Sequence, residues 1–284
     1  MNHRLFPAEF LRLLDGETLP AIRTVRSPRP GRHLSAATGD SQEFQDFRSY
    51  MQGDDLRYLD WNIFRRSRKL FLRRYRHFPD TGHILVLDTS ASVRFSWKRA
   101  STAWRLAALL GAQLLAGGDR IQLQCPGIEP GKHSYHGRDS IWDLCETLST
   151  VWDGKADNRP PHAPRQKKAK CWVVSDFYDS EGLPELEKRL KNAAFIPVRI
   201  YDAEEYDPAF YRQSCLVDSE TGTRITVAES RLLSERYLAR MQDFEALLRK
   251  VGERAGGRLF RMKTSLSVND LFENYRREFA QEGV

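Results

Sequence analysis

The chain has 284 residues, 40% of them hydrophobic and 29% charged, an ordinary globular composition with room for one large α/β domain plus an extension. No apolar run reaches the roughly 18 residues a membrane span needs, and the opening MNHRLFPAEFLRLLDG is too polar for a secretory signal. The net charge of +7 is uneven, with 15 Lys and Arg against 10 Asp and Glu in residues 1–80 and 30 against 28 in the rest.

Such asymmetry can mark an acidic partner, and is more often a solvated face. The four cysteines, Cys125, Cys145, Cys171 and Cys215, form no C-x-x-C pair. They read as small buried hydrophobes in a reducing compartment, so a cytoplasmic location is expected.

In chain order, residues 4–15 place Leu5, Phe10, Leu11 and Leu14 near helical spacing, which predicts a short amphipathic helix. Residues 27–42, rich in Pro, Gly and Ser, read as loop. A stretch dense in aromatics and charge follows to residue 78, with Gly53-Asp54-Asp55 as a turn signal and a possible strand at Lys69–Tyr75. From Gly82 onward strands and helices alternate. Strands are expected at 83–88, 120–125, 132–135, 171–175, 195–201 and 257–262. Helices are expected at 96–116, 139–151, 183–193, 229–254 and 267–281, a hairpin at 214–227 turning at Thr221-Gly222, and a polar Pro-rich loop at 153–170.

This alternation predicts a doubly wound, mostly parallel six-stranded sheet with helices on both faces. The chain divides into an extension, 1–80, and an α/β domain, 81–284. The tryptophans at 97, 104, 142, 152 and 172 read as core contacts.

Burial explains Ile84-Leu85-Val86-Leu87 but not Asp88, because a carboxylate at the end of a buried strand is costly unless paired, hydrogen-bonded or metal-bound. Asp88, Ser90 and Ser92 put three oxygens on one tight turn, which suits a hard cation and equally suits capping of a following helix. A second strand, Val173-Val174-Ser175, ends the same way at Asp176. Ligands of doubly wound sheets bind at the carboxyl ends of strands where strand order reverses. If the two strands are neighbours there, both aspartates and the serines converge on one crevice, favouring a divalent cation.

The Asp-x-Ser-x-Ser turn with a second strand-end Asp resembles the metal-ion-dependent adhesion site (MIDAS) of von Willebrand factor A domains. Upstream, Arg48, Tyr50, Gly53, Asp54, Asp55, Arg57, Asp60 and Trp61 resemble the R-x-Y-x-x-G-D-D-x-R-x-I-D-W segment of a bacterial family catalogued as "domain of unknown function 58". The resemblance implies a von Willebrand A-like fold and a binding module rather than an enzyme. It implies a MoxR-type AAA+ ATPase partner, with a role in assembly or maturation of other proteins. It also implies Mg²⁺, or Mn²⁺ or Ca²⁺, held by Asp88, Ser90 and Ser92, with Asp176 close behind or bonding through water. A typical adhesion site adds a Thr from a further loop. Here that region reads HSYHGRDSIWDL and the nearest hydroxyl is Ser140, as an additional ligand or as the cap of the helix starting near Asp139.

Other functions are less well supported. No G-x-x-x-x-G-K-[ST] loop is present, so the chain is not expected to be the ATPase itself. His133-x-x-His136 has no nearby Cys to complete a zinc site. The basic run Arg65–Arg76 has seven Lys and Arg in twelve residues but no accompanying nucleic-acid signature, and reads as a solvent-facing ribbon. The enzymatic alternative is a metal-dependent hydrolase built on the strand-end aspartates.

Overall fold

A computed structural model describes residues 4–15, 43–49, 61–76, 82–126, 133–154, 169–178, 182–207, 215–217, 222–226 and 231–280. Residues 1–24 with 81–284 form one compact unit, and residues 25–80 a second. Helix α1 (Ala8–Asp15) belongs to the first. Its apolar stripe, Phe10 and Leu14, is fully buried together with Leu5 and Phe6 in the main core. The predicted helix therefore forms, and it sits with the α/β body rather than with residues 25–80.

In the second unit, β1 (Glu43–Ser49) pairs antiparallel with β2 (Phe71–Arg76), and α2 (Trp61–Ser67) lies between them in sequence. Arg48 stands opposite Leu72, and the register slips between Phe44 and Asp46, which marks a bulge. The basic run spans the last turn of α2, the link carrying Arg68 and Lys69, and β2. The loop expected at 27–42 and most of that at 153–170 lie outside the described residues.

The α/β unit carries six strands in the order β10-β7-β6-β3-β4-β5. These are β3 (Gly82–Leu87), β4 (Arg120–Gln124), β5 (Ser134–His136), β6 (Lys170–Ser175), β7 (Ile196–Tyr201) and β10 (Phe260–Lys263). All neighbours are parallel except β4 with β5, so the expected six-stranded, mostly parallel sheet is present. Small hairpin strands β8 (Cys215–Val217) and β9 (Arg224–Thr226) pair apart from it, and Gly222 before β9 has a φ of 71°, where a residue with a Cβ is strained.

Period-two alternation sends Leu85 and Leu87 into one core and Ile84 and Val86 into the other. The first core is closed by α1, α4 (Trp97–Ala116), α5 (Ile141–Asp153) and α8 (Val268–Ala280), the second by α6 (Leu183–Leu190) and α7 (Arg231–Arg254). Helix α4 is buried from Arg99 to Leu115, and Ser96 caps it by accepting from the Arg99 N–H at 3.2 Å. Gly111 lets α5 approach closely: a Cβ there would stand 2.3 Å from Leu144 Cδ2.

Two expectations about burial fail. Trp142 is 41% exposed on the outer face of α5, and Cys215 is exposed whereas the other three cysteines are buried. All four thiols are free. No described helix is long and apolar enough to cross a membrane.

Candidate functional site

The strand order reverses at β3. The chain passes from β3 to β4 on one side and later places β6 on the other. Asp88 and Asp176 are the residues directly after β3 and β6, so both stand at the carboxyl ends beside this reversal. The Asp88 N–H donates to the Val174 carbonyl at 3.0 Å, extending the ladder one step past the strand.

The Asp88 side chain then organises the turn. Its Oδ1 accepts from the Ser90 N–H at 2.8 Å, and its Oδ2 accepts from the Ser175 hydroxyl at 2.5 Å. Ser175 Oγ in turn accepts from the Phe177 N–H at 2.8 Å. Ser90 and Ser92 hydroxyls lie 3.0 Å apart, and Ser92 Oγ donates to Asp176 Oδ1 at 3.3 Å. A short helix, α3 (Ala91–Arg94), carries Ser92 into this position. The four residues singled out from the sequence thus meet in one cluster. Phe177, next to Asp176, has a φ of 61°, uncommon for a bulky residue, and its ring stacks on Phe195 at 5.8 Å.

Asp88 is 4% exposed and Asp176 0%. Burial raises the Asp88 pKa above the ordinary carboxylate value, against hydrogen bonds that lower it. Asp176 is pushed up to about 7, first by burial and then by the neighbouring Asp88 charge, with Arg99 opposing. Arg99, in the first turn of α4, donates to Asp176 Oδ2 at 3.1 Å. The same guanidinium holds Asp202 Oδ2 at 2.6 Å and Glu205 Oε1 at 2.6 Å. Burial alone would lower the Arg99 pKa, but these three carboxylates raise it overall.

This network extends along the sheet. Asp202 follows β7 directly and opens a 3₁₀ turn, Ala203–Tyr206, where it forms a capping box with Glu205. Thr264 follows β10 directly and donates its hydroxyl to Asp202 Oδ1. Four adjacent parallel strands therefore end in a polar residue of one network: Asp88, Asp176, Asp202 and Thr264. Glu205 Oε2 continues it to Arg199 at 2.8 Å, and Arg199 reaches Glu245 of α7 at 3.0 Å. Asp202 and Thr264 were findable in the sequence by the rule that singled out Asp88, a polar residue closing an apolar strand. No hydroxyl pair follows Asp202, and Thr264 comes after Lys263 rather than after an apolar residue, so neither stands out.

Ser140 is not part of the site. Its hydroxyl donates to the His136 carbonyl at 2.8 Å. Because β5 runs antiparallel, His136 pairs with Arg120 at the amino end of β4, which in turn pairs with Gly82 at the start of β3. That is the opposite end of the sheet, roughly 20 Å from Asp88 at about 3.3 Å per residue. Nor does Ser140 cap α5 with its side chain. Of the upstream motif, Arg48 lies on β1 and Trp61 opens α2, while Tyr50, Gly53, Asp54, Asp55, Arg57 and Asp60 lie outside the described residues.

The chain matches a family model described as "Protein of unknown function DUF58" over residues 46–246. It belongs to the DUF58 family. The match runs from β1 into α7, so within this DUF58 chain it takes in Asp88, Ser90, Ser92, Asp176 and Asp202, and stops short of Thr264. No curated protein matches the chain. Among solved structures it is similar to the "conserved hypothetical protein BatB from Bacteroides thetaiotaomicron", at 13% identity and a TM-score of 0.34, over 71% of this chain and 99% of that one.

Among the described residues no group of three or more His, Cys, Asp or Glu is placed to hold a metal. The donors at the reversal are two carboxylates and two hydroxyls, all oxygen, which is a hard-cation set and not a zinc set. The 3.0 Å between Ser90 Oγ and Ser92 Oγ fits neighbouring corners of an octahedron. Ligands about 2.1 Å from a Mg²⁺ ion stand roughly 3 Å from one another. A carboxylate offers about four lone-pair sites, so the Ser90 and Ser175 bonds do not saturate Asp88. The buried Thr89 hydroxyl in the same turn has no hydrogen-bond partner among the described residues. These residues fit a small divalent cation.

Proposed function

We propose that this DUF58 chain is a non-enzymatic, metal-dependent protein-interaction module of von Willebrand A-like type. It acts with a MoxR-type AAA+ ATPase in the assembly or maturation of other proteins. The observation that carries the reading is the convergence of Asp88, Ser90, Ser92 and Asp176 at the strand-order reversal. Ser90, Ser92 and Asp88 would hold Mg²⁺, or Mn²⁺ or Ca²⁺, with Asp176 behind them. The bound cation supplies a Lewis-acid position that a partner carboxylate can fill. The protein's own part is to fix the serine pair at the start of α3 and to hold both aspartates by hydrogen bonds from Ser175, Tyr178 and Arg99. The absence of a phosphate-loop motif leaves nucleotide hydrolysis to the partner. Four free thiols favour a cytoplasmic setting.

The test pairs calorimetric Mg²⁺ titration with pull-down of a MoxR-type ATPase from the same organism. Wild type is expected to bind both, and Asp88→Ala and Ser90→Ala to lose both. Undiminished pull-down in EDTA and in Asp88→Ala would sink the metal-bridge reading. A phosphoester panel is expected to show no turnover, and metal-dependent turnover lost in Asp88→Ala would move the site to the hydrolase alternative.

A further inference from the structure

From the groove between α6 and α7 we infer a second docking point, one that takes an apolar side chain of a partner protein together with an acidic residue beside it. The groove encloses about 190 Å³, walled by Phe177, Leu183, Leu186, Met241 and Phe244. That is below the roughly 300–1,000 Å³ of sites for cofactors and drug-sized ligands. Its size suits a single anchoring side chain.

Polarity within the groove is confined to one place. Tyr178 and Tyr237 also line it, but their hydroxyls turn inward, donating to Glu205 Oε2 at 2.6 Å and to the Glu205 carbonyl at 2.9 Å. Their rings are left facing the groove. Among the described lining residues the only charged one is Arg240, which is exposed and makes no hydrogen bond or ion pair with another described residue. An apolar slot with one unspent guanidinium at its edge is complementary to an apolar side chain flanked by a carboxylate.

The helix supplies a track as well as a slot. Tyr237, Arg240, Met241 and Phe244 share one face of α7 at helical spacing, and Leu233, one turn earlier and 45% exposed, continues that face outward. A partner segment lying along α7 would meet Leu233, then the slot, with Arg240 beside it, which is the helix-in-groove mode of recognition. The groove also adjoins the proposed cation site. Phe177 and Tyr178, two of its lining residues, directly follow Asp176, and the Tyr178 N–H donates to Asp176 Oδ1 at 3.2 Å.

The inference deepens the docking reading above, but it does not need the metal. The test measures fluorescence polarisation of short labelled peptides on the full chain. One series carries Leu or Phe beside Glu or Asp, and controls carry Lys for the acid or Ala for the apolar residue. The acidic apolar series is expected to bind saturably, about tenfold more weakly to Arg240→Glu and to Met241→Asp. The Lys-bearing series is expected to gain binding to Arg240→Glu by charge exchange. Arg240 is exposed, so its variant folds. Equal binding of acidic and basic series, or no binding by any peptide, overturns the proposal. So does a change of oligomeric state in Arg240→Glu without peptide binding, which would assign the groove to a second copy of the chain. Repeating the titration in EDTA and with Asp88→Ala separates the two readings. Peptide binding that survives there, alongside failed Mg²⁺ titration, keeps the groove and discards the cation site.

Discussion

Arg99 and Asp176 are joined across 3.1 Å between the first turn of α4 and the end of β6, inside the candidate site. The site thus carries its own cation against one of its two aspartates. Arg99 is shared with Asp202 and Glu205, so a single guanidinium faces three carboxylates and the cluster keeps an acidic surplus. Removing one partner of such a buried set leaves uncompensated charge, a loss of about 3–5 kcal/mol. Arg99→Gln is expected to fall by that amount in urea denaturation. It is also expected to recover more stability from added Mg²⁺ than wild type does, because Asp176 then has no competing cation and a ligand stabilises whatever state binds it better. Equal Mg²⁺ gains in both proteins would show that Arg99 and the metal do not share Asp176.

Ser175 carries a role beyond closing β6. Its hydroxyl donates to Asp88 Oδ2 and accepts from the Phe177 N–H, and it is fully buried. Ser175→Ala strands both groups without a route to solvent, at a cost of about 1–3 kcal/mol. The expected result is a lower melting temperature together with weaker Mg²⁺ binding, since Asp88 loses the bond that orients it. An unchanged melting temperature would mean that water replaces the hydroxyl.

Helix α1 gives a test of where the N-terminus belongs. Leu14 is 1% exposed in the main core, and Arg105 of α4 donates to the Leu5 carbonyl at 2.8 Å. Leu14→Ala is therefore expected to destabilise the α/β unit by about 2–5 kcal/mol, the usual cost of truncating a buried leucine. A change within about 0.5 kcal/mol, the range of surface substitutions, would place α1 outside that core.

The alternating part of the fold was legible because its strands are short and its central ones, β3 and β6, are largely apolar, and β3, β4, β6 and β7 fall within a residue or two of the expected positions. Residues 43–76 were not legible in the same way. Aromatic and charged residues interleave in EFQDFRS and FLRRYR with no clear period, so the β1–β2 pair and α2 left only a partial signal. At the site, Asp88 and Asp176 were readable because each closes an apolar strand. Arg99 was not, because its partners lie 77, 103 and 106 residues away and only the folded sheet brings them together. Ser140 misled for a topological reason: residue order does not show that β5 turns back and carries the serine to the far end of the sheet.

Thiol chemistry offers a check on the core itself. Cys125, Cys145 and Cys171 are buried, and burial pushes each thiol up to about 12. The thiolate is the reacting species, so near pH 8 these three are both inaccessible and almost wholly protonated. Cys215, on β8, is exposed. An aromatic disulfide reagent added to the native chain at pH 8 is expected to release one equivalent quickly, lost in Cys215→Ser, and the remaining three only on unfolding. The slow phase should follow the opening of the sheet, since Cys171 lies on β6 between Ile84 and Val173 in the second core. Rapid release of more than one equivalent would mean that β6, α5 or the end of β4 beside Cys125 is open to solvent on the labelling timescale, against the burial of all three thiols.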